Sequence, residues 1–148
     1  LDFNARFSAK QRYYVYKIIN RPSVNIINAG LQYWVREPLD VELMREAASY
    51  LIGKHDFSSL RAAQCQSSSP VKTISNIEIT REGDNIEIYV SAISFLHHMV
   101  RNIVGNLLQV GKGIWPPEKM KEILEQRNRS RGAPTAPAEG LYFLKVDY

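Results

Sequence analysis

The sequence contains a single cysteine among its 148 residues, Cys65, which excludes a disulfide framework and a cysteine-based zinc cluster. None of its apolar runs approaches the roughly 20 residues that a membrane-spanning helix needs. No secretory signal pattern opens the sequence. Its length fits one domain, and 45% hydrophobic with 23% charged residues is typical of soluble globular proteins. Because the first residue is Leu1 rather than methionine, we expect a piece of a longer protein.

Positive charge is concentrated in two segments, although the formal net charge is only +4. Residues 1–21 and residues 112–131 each carry an excess of lysine and arginine over acidic side chains. If these segments meet in the fold, they would form a surface that binds the phosphate backbone of a nucleic acid. The alternative is two solvated faces without a partner, and charge alone does not decide between them.

The succession of strand and helix signals predicts one α+β domain over residues 1–148, an antiparallel sheet with two or three helices packed on it. Strands are predicted at 12–19, 72–80, 86–92 and 141–146, the last of them buried. Helices are predicted from the cap at Asp40 to Gly53, from Leu96 to about Val110, and after Trp115. Within 72–80, alternation places Ile77 and Ile79 on one face of the strand and Ile74 on the other.

The first strand carries Arg12, Tyr14 and Tyr16 at alternate positions, so these three side chains share one face. A guanidinium beside an aromatic row is able to bind a phosphate and stack on a base. The alternative, favoured for an isolated pattern, is that the tyrosines pack in the core with their hydroxyls bonded at its edge.

The helix after Phe95 places Arg101 at the margin of its apolar stripe, where a half-buried guanidinium needs a carboxylate or phosphate partner. Gly105 follows one turn later, which indicates that another segment packs closely there. His97 and His98 diverge by about 100° on a helix and have no third ligand at a suitable spacing, so a metal site is not expected. Surface or interface histidines are the expected alternative.

The Pro- and Ala-rich segment 132–141 is a shaped loop that either lines a cleft or delivers the chain into the last strand, with the second slightly favoured. Cys65 has no neighbour in sequence that would activate a thiolate, so a nucleophilic role is not expected.

Four blocks of sequence together resemble the tRNA pseudouridine synthase A family. They are FNARFSAK (3–10) leading into Arg12-x-Tyr14-x-Tyr16, HDFSSLR (55–61), FLHHMVRNIVG (95–105) and APAEGL (136–141). The blocks follow the family's order and span almost the whole chain.

The resemblance implies a pseudouridine synthase fold and the isomerisation of uridine to pseudouridine in the tRNA anticodon stem-loop, at tRNA positions 38 to 40, without cofactor or metal. It implies that Tyr14 packs on the flipped uridine and that Arg101 pairs with the catalytic aspartate. It also implies a cytoplasmic homodimer whose partner is tRNA, with no membrane association. RNA contacts are expected from Arg6, Lys10, Arg12, His97 and His98.

One part of the family pattern is absent. The family's nucleophile is the aspartate of an Arg-x-Asp-x-Gly-Val-His block, and none of this chain's five aspartates has that setting. We therefore expect a C-terminal portion that carries Tyr14 and Arg101, lacks the nucleophile and is inactive alone. The alternative is a stand-alone RNA-binding module that uses the tyrosine face and the basic segments without catalysis.

Overall fold

The computed structural model describes residues 11–23, 31–60, 69–96, 98–126 and 132–147. Within these ranges, six strands and three α-helices form an α+β domain, which confirms the predicted fold class. The strands are β1 (Gln11–Asn20), β2 (Tyr33–Val35), β3 (Gly53–Asp56), β4 (Val71–Glu82), β5 (Asn85–Ala92) and β6 (Leu141–Asp147). The α-helices are α1 (Val41–Ser49), α2 (Met99–Gly111) and α3 (Lys119–Gln126), and short 3₁₀ helices cover Ser58–Leu60 and Ala138–Gly140.

The strands form one sheet in the order β2-β1-β5-β4-β3, with β6 also paired to β1. β5 occupies one edge of β1, so β6 and β2 share the other edge, β6 along residues 11–16 and β2 along residues 18–20. All pairs are antiparallel except β1 with β2, which is parallel. The sheet is therefore mixed, which corrects the prediction of a wholly antiparallel one.

The hydrophobic core lies between one face of the sheet and the helices. Tyr16 and Ile18 of β1 and Ile88 of β5 point to this face and pack in the same buried cluster as Met44 of α1 and Leu107 of α2. Alternation explains the pattern, since successive strand residues point to opposite faces.

The opposite face of the sheet is polar, and its side chains are hydrogen-bonded to one another. The Tyr13 hydroxyl donates to Asp147, and the Tyr89 hydroxyl donates to Glu87. Beneath these tyrosines Val15 is almost fully buried. A hollow of about 200 Å³ lies beside Tyr13 and Tyr89.

Helix α1 begins as predicted, because the Asp40 carboxylate accepts a hydrogen bond of 3.1 Å from the Leu43 amide. It ends at Ser49, earlier than predicted. Gly53 has a φ of +102°, a conformation that favours glycine, and it opens the unpredicted strand β3.

A β-bulge changes which side chains of β4 reach the core. Ile74 pairs with Ala92 and Asn76 pairs with Ser91, which leaves Ser75 as an extra residue in β4. The extra residue shifts the alternation by one. Ile74 therefore joins Ile77 and Ile79 in the core, and its predicted placement on the other face is wrong.

Strand β6 is not buried as predicted. Among the strands that the structure describes it pairs only with β1, and Phe143 and Leu144 are 54% and 50% exposed. The register with β1 shifts between Tyr13 and Tyr14, so β6 is an irregular edge strand. Its apolar composition predicted a buried strand, but none of the other described strands pairs with its outer edge.

Candidate active site

A cleft of about 380 Å³ opens where α2 begins, between the first half of β1 and the segment that leads into β6. The residues that line it come from three parts of the chain that are distant in sequence. They are Tyr14, Phe95, Leu96, His98, Met99, Val100, Arg101, Ala138 and Leu141. The cleft thus joins Tyr14 and Arg101, the two residues for which the sequence predicted catalytic and substrate-binding roles.

Tyr14 forms one wall of this cleft. Two phenyl rings contact it edge-on, Phe95 at a centroid distance of 5.1 Å and Phe143 at 5.3 Å. Edge-to-face contacts of this kind are favourable and fix the orientation of a ring. The sequence did not single out Phe95 or Phe143 as partners of Tyr14, because their proximity depends on strand pairing. The pairing of β6 with β1 brings Phe143 to Tyr14, and the pairing of β5 with β1 brings the segment that contains Phe95.

Arg101 lies in the first turn of α2 and is half-buried. Its Nε donates a hydrogen bond of 2.8 Å to the Ala136 carbonyl, and the Ala136 amide donates one of 3.1 Å to the Arg101 carbonyl. Arg101 takes part in none of the ion pairs formed among the described residues. The guanidinium is therefore oriented through one nitrogen, while its two terminal nitrogens carry the charge that a carboxylate would pair with.

The predicted row of Arg12, Tyr14 and Tyr16 does share one face of β1, but its members have different surroundings. Tyr16 is fully buried, and its hydroxyl donates to the Pro137 carbonyl at 2.5 Å. Burial raises the pKa of Tyr16 well above its ordinary value, and the nearby Tyr33 and Glu139 raise it further while Arg101 opposes them. Tyr16 is thus a neutral core residue, as the alternative interpretation of the row expected.

Arg12 lies at the end of this row, where its Nη1 donates a hydrogen bond to the Ile93 carbonyl. This contact holds the Arg12 side chain at Ile93, two residues before Phe95 of the cleft wall. Arg6, Lys10 and His97, also predicted to contact RNA, lie outside the described residues.

His98 lines the cleft in an unusual backbone conformation. It has a φ of +61°, in the left-handed region, and it directly precedes the first residue of α2. The predicted helix start at Leu96 is therefore wrong, because a left-handed residue interrupts the helical path. The observed start directs the first turn of α2, with Arg101, into the cleft.

The predicted close approach at Gly105 is confirmed. A Cβ on Gly105 would lie 2.2 Å from the Pro134 carbonyl oxygen, so segment 132–137 lies directly on α2. The same segment continues into Ala138, which lines the cleft. The segment therefore both lines the cleft and delivers the chain into β6, the two alternatives that the sequence left open.

The described part of the second basic segment is largely paired with acidic groups. Lys112 lies 3.8 Å from Glu37, and Lys119 lies 3.4 Å from Glu122 and over the Trp115 ring. These contacts reduce the positive charge that the segment presents to a partner.

A larger cavity of about 600 Å³ lies between β3 and α3. Its walls mix apolar side chains with charges of both signs, and neither Tyr14 nor Arg101 contributes to them. The two residues that the motifs single out, Tyr14 and Arg101, therefore line the smaller cleft.

The described ranges contain no group of three histidine, cysteine, aspartate or glutamate side chains arranged to hold a metal ion. They also contain no helix long and apolar enough to cross a membrane.

Comparison with known proteins gives one consistent result. A family model described as tRNA pseudouridine synthase matches residues 47–148. The chain is 56% identical over 147 residues to the tRNA pseudouridine synthase A of Ehrlichia ruminantium strain Gardel, and equally to that of strain Welgevonden. Each match covers 99% of this chain and 60% of the relative, so the chain spans about three fifths of the length of these curated relatives.

Proposed function

The chain belongs to the tRNA pseudouridine synthase family, and we propose that it is the C-terminal part of an enzyme that converts uridine to pseudouridine in the tRNA anticodon stem-loop, at tRNA positions 38 to 40. The observation that carries the proposal is the meeting of Tyr14 and Arg101 in one cleft. Family membership gives the reaction class, and the cleft supplies two groups that this reaction needs.

The reaction breaks the N1–C1′ bond of the uridine and forms a C5–C1′ bond, after which C5 loses its proton and N1 gains one. The target base must leave the helical stack, and an aromatic wall compensates for the lost stacking. Tyr14, oriented by Phe95 and Phe143, is placed to do this.

Arg101 is proposed to pair with the nucleophilic aspartate and hold it ionised. A cationic partner lowers the pKa of a carboxyl group and fixes its position. The N-terminus of α2 lies at the same place, and its dipole favours a negative group as well.

The aspartate itself is proposed to come from the part of the enzyme that this chain does not include. Each described aspartate is engaged elsewhere, and none lines the cleft. Asp40 caps α1 and Asp56 binds Ser58, whereas Asp84 pairs with Arg21 and Asp147 accepts from Tyr13. This distribution supports the proposal that the chain alone is inactive.

The parent enzyme is proposed to act in the cytoplasm on tRNA as a homodimer, with no cofactor. The family resemblance supports this, and the excess of basic residues in 1–21 supports binding to tRNA phosphates. Arg6, Lys10, Arg12, His97 and His98 remain the proposed RNA contacts.

The test is tritium release from a tRNA transcript that carries 5-tritiated uridine, because C5 loses its hydrogen in the reaction. We expect no release from this chain alone, folded as judged by circular dichroism, and release when the N-terminal part of the enzyme is added. Release by the chain alone at enzyme-like rates would contradict the absence of the nucleophile. No release from either sample would contradict the synthase function and favour an RNA-binding module.

A further inference from the structure

Two fully buried asparagines interrupt the apolar interior of α2. Asn102 and Asn106 are both 0% exposed, and they lie one turn apart on a helix whose other buried residues are apolar or glycine. Burying an amide costs free energy unless its hydrogen bonds are satisfied. The two asparagines therefore need hydrogen-bond partners inside the protein, which apolar side chains at these positions would not bind.

Among the described residues, two of their four partners belong to the segment that runs beside the cleft. The Asn102 Oδ1 accepts a 2.5 Å hydrogen bond from the Thr135 hydroxyl, and its Nδ2 donates to the Leu60 carbonyl at 2.8 Å. The Asn106 Oδ1 accepts from the Ala133 amide at 3.0 Å, and its Nδ2 donates to the Asn102 carbonyl at 2.7 Å. The two amides thus hold alternate residues of one extended segment.

The path of this segment is also fixed by shape. The Pro134 carbonyl lies against Gly105, at a distance that no side chain would allow. Residues 133–136 are therefore attached to α2 at consecutive positions: Ala133 to Asn106, Pro134 to Gly105, Thr135 to Asn102 and Ala136 to Arg101.

The attachment of Ala136 to Arg101 involves the charged side chain that lines the cleft. The Ala136 carbonyl accepts the hydrogen bond from Arg101 Nε, so the position of Ala136 sets the plane of the guanidinium. An arginine side chain loses rotamer entropy when it is ordered, which costs free energy. Because the Ala136 carbonyl is already held in place, Arg101 is ordered before the reaction, and part of this entropic cost is removed from the catalytic step.

We infer that Asn102, Asn106 and Thr135 are positioning residues: they hold the segment 133–136 on α2 so that the Ala136 carbonyl orients Arg101 toward the catalytic carboxylate. This inference rests on the proposed function, because it assigns a purpose to the orientation of Arg101. The three residues act through Arg101 and are not expected to touch the substrate.

The experiment uses the full-length enzyme with the substitution Thr135→Val, which keeps the side-chain shape and removes the hydroxyl donor. We expect kcat to fall about tenfold with KM within about twofold, since positioning and not binding is lost. Thr135→Ser keeps the hydroxyl and should restore kcat. If Thr135→Val does not fold, Thr135→Ala replaces it, because it also removes the hydroxyl donor to Asn102 and places no additional methyl group there.

Two further variants separate positioning from general stability. Asn20→Ala removes another buried asparagine, at the far end of β1 from Tyr14, where its amide donates to the Val35 and Glu37 carbonyls. It should lower the melting temperature and leave kcat unchanged. In an Arg101→Lys background, which lacks the Nε donor, Thr135→Val should change kcat by less than about twofold, because the two substitutions act on the same interaction.

The inference would be overturned if Thr135→Val lowered kcat equally with arginine and with lysine at position 101. It would also be overturned if Thr135→Val left kcat of the full-length enzyme unchanged. Failure of the proposed function gives a different result. In that case the unsubstituted full-length enzyme would release no tritium, or Arg101→Ala would retain full activity.

Discussion

At the scale of single residues, Tyr14 and Tyr16 lie on the same face of β1 but have different surroundings. Tyr16 is buried and donates to Pro137, and Gly140 packs so closely that a Cβ there would lie 2.7 Å from the Tyr16 ring. Tyr14, two residues earlier, is held by Phe95 and Phe143 at the wall of the cleft. Of these two tyrosines, Tyr14 is the one that lines the cleft, and it is the one proposed to stack on a nucleobase.

Substitutions at Tyr14 should separate the ring from its hydroxyl. In the full-length enzyme, Tyr14→Ala is expected to lose about 1 to 3 kcal/mol of base contact, measured as weaker binding of tRNA. Tyr14→Phe keeps the ring and should bind tRNA as well as the unsubstituted enzyme, so any fall in turnover would report on the hydroxyl. Equal binding by the alanine and phenylalanine variants would exclude a stacking role.

At the scale of secondary-structure elements, two glycines of α2 lie in close contact with other parts of the fold. Gly105 faces the Pro134 backbone, whereas Gly111 faces the flexible side chain of Met44, where a Cβ on Gly111 would lie 2.7 Å from Sδ and 2.9 Å from Cγ. A side chain that moves accommodates a new methyl group more easily than a carbonyl fixed in a hydrogen-bonded segment.

The two glycines therefore provide a matched pair of substitutions. Alanine gains about 1 kcal/mol over glycine in a helix interior, so helix propensity alone would favour both variants. We expect Gly105→Ala to lower the free energy of unfolding by about 1 to 3 kcal/mol or more through the clash with Pro134, and Gly111→Ala to cost clearly less. Urea unfolding monitored by circular dichroism measures both. Equal costs would show that segment 132–137 does not lie on α2 as described.

At the scale of the whole molecule, the distribution of charge indicates which basic segment is the better candidate for the proposed contact with tRNA. The lysines described in 112–126 are partly neutralised, as Lys112 and Lys119 lie near glutamates. The segment 1–21 has a single acidic residue, Asp2, against five basic ones, and of these Arg21 lies 3.4 Å from Asp84. The first segment is therefore the stronger candidate for contact with tRNA phosphates.

Salt dependence of tRNA binding tests this assignment. Replacing Arg6 and Lys10 together by glutamine in the full-length enzyme should reduce the slope of log K against log salt by about 1 to 2, since each lost phosphate contact contributes about 0.7 to 0.9. Lys119→Gln is the control, because its ammonium group lies near Glu122 and the Trp115 ring. A change in slope as large in the control as in the double variant would contradict the assignment.

Several features of this protein could be predicted from local sequence, because their causes are local. The Asp40 cap of α1 depends on a side chain and an amide three residues apart, and the β4–β5 hairpin depends on a turn at Gly83 between two alternating runs. The family blocks also predicted that Tyr14 and Arg101 belong to one site, and the cleft contains both.

Other features were decided by contacts between residues far apart in the chain. The bulge at Ser75 moved Ile74 into the core, and the left-handed His98 set the start of α2. The edge position of β6 left Phe143 exposed beside Tyr14, although its composition indicated a buried strand.

The amino-acid sequence by itself determined the family, the fold class and the residue types of the site. Only the tertiary structure decided that Arg101 is oriented by Ala136, because that carbonyl lies 35 residues away in sequence and is held there by buried amides. Local patterns specify which elements form. Packing and hydrogen bonds between distant segments decide which side chains meet in the cleft.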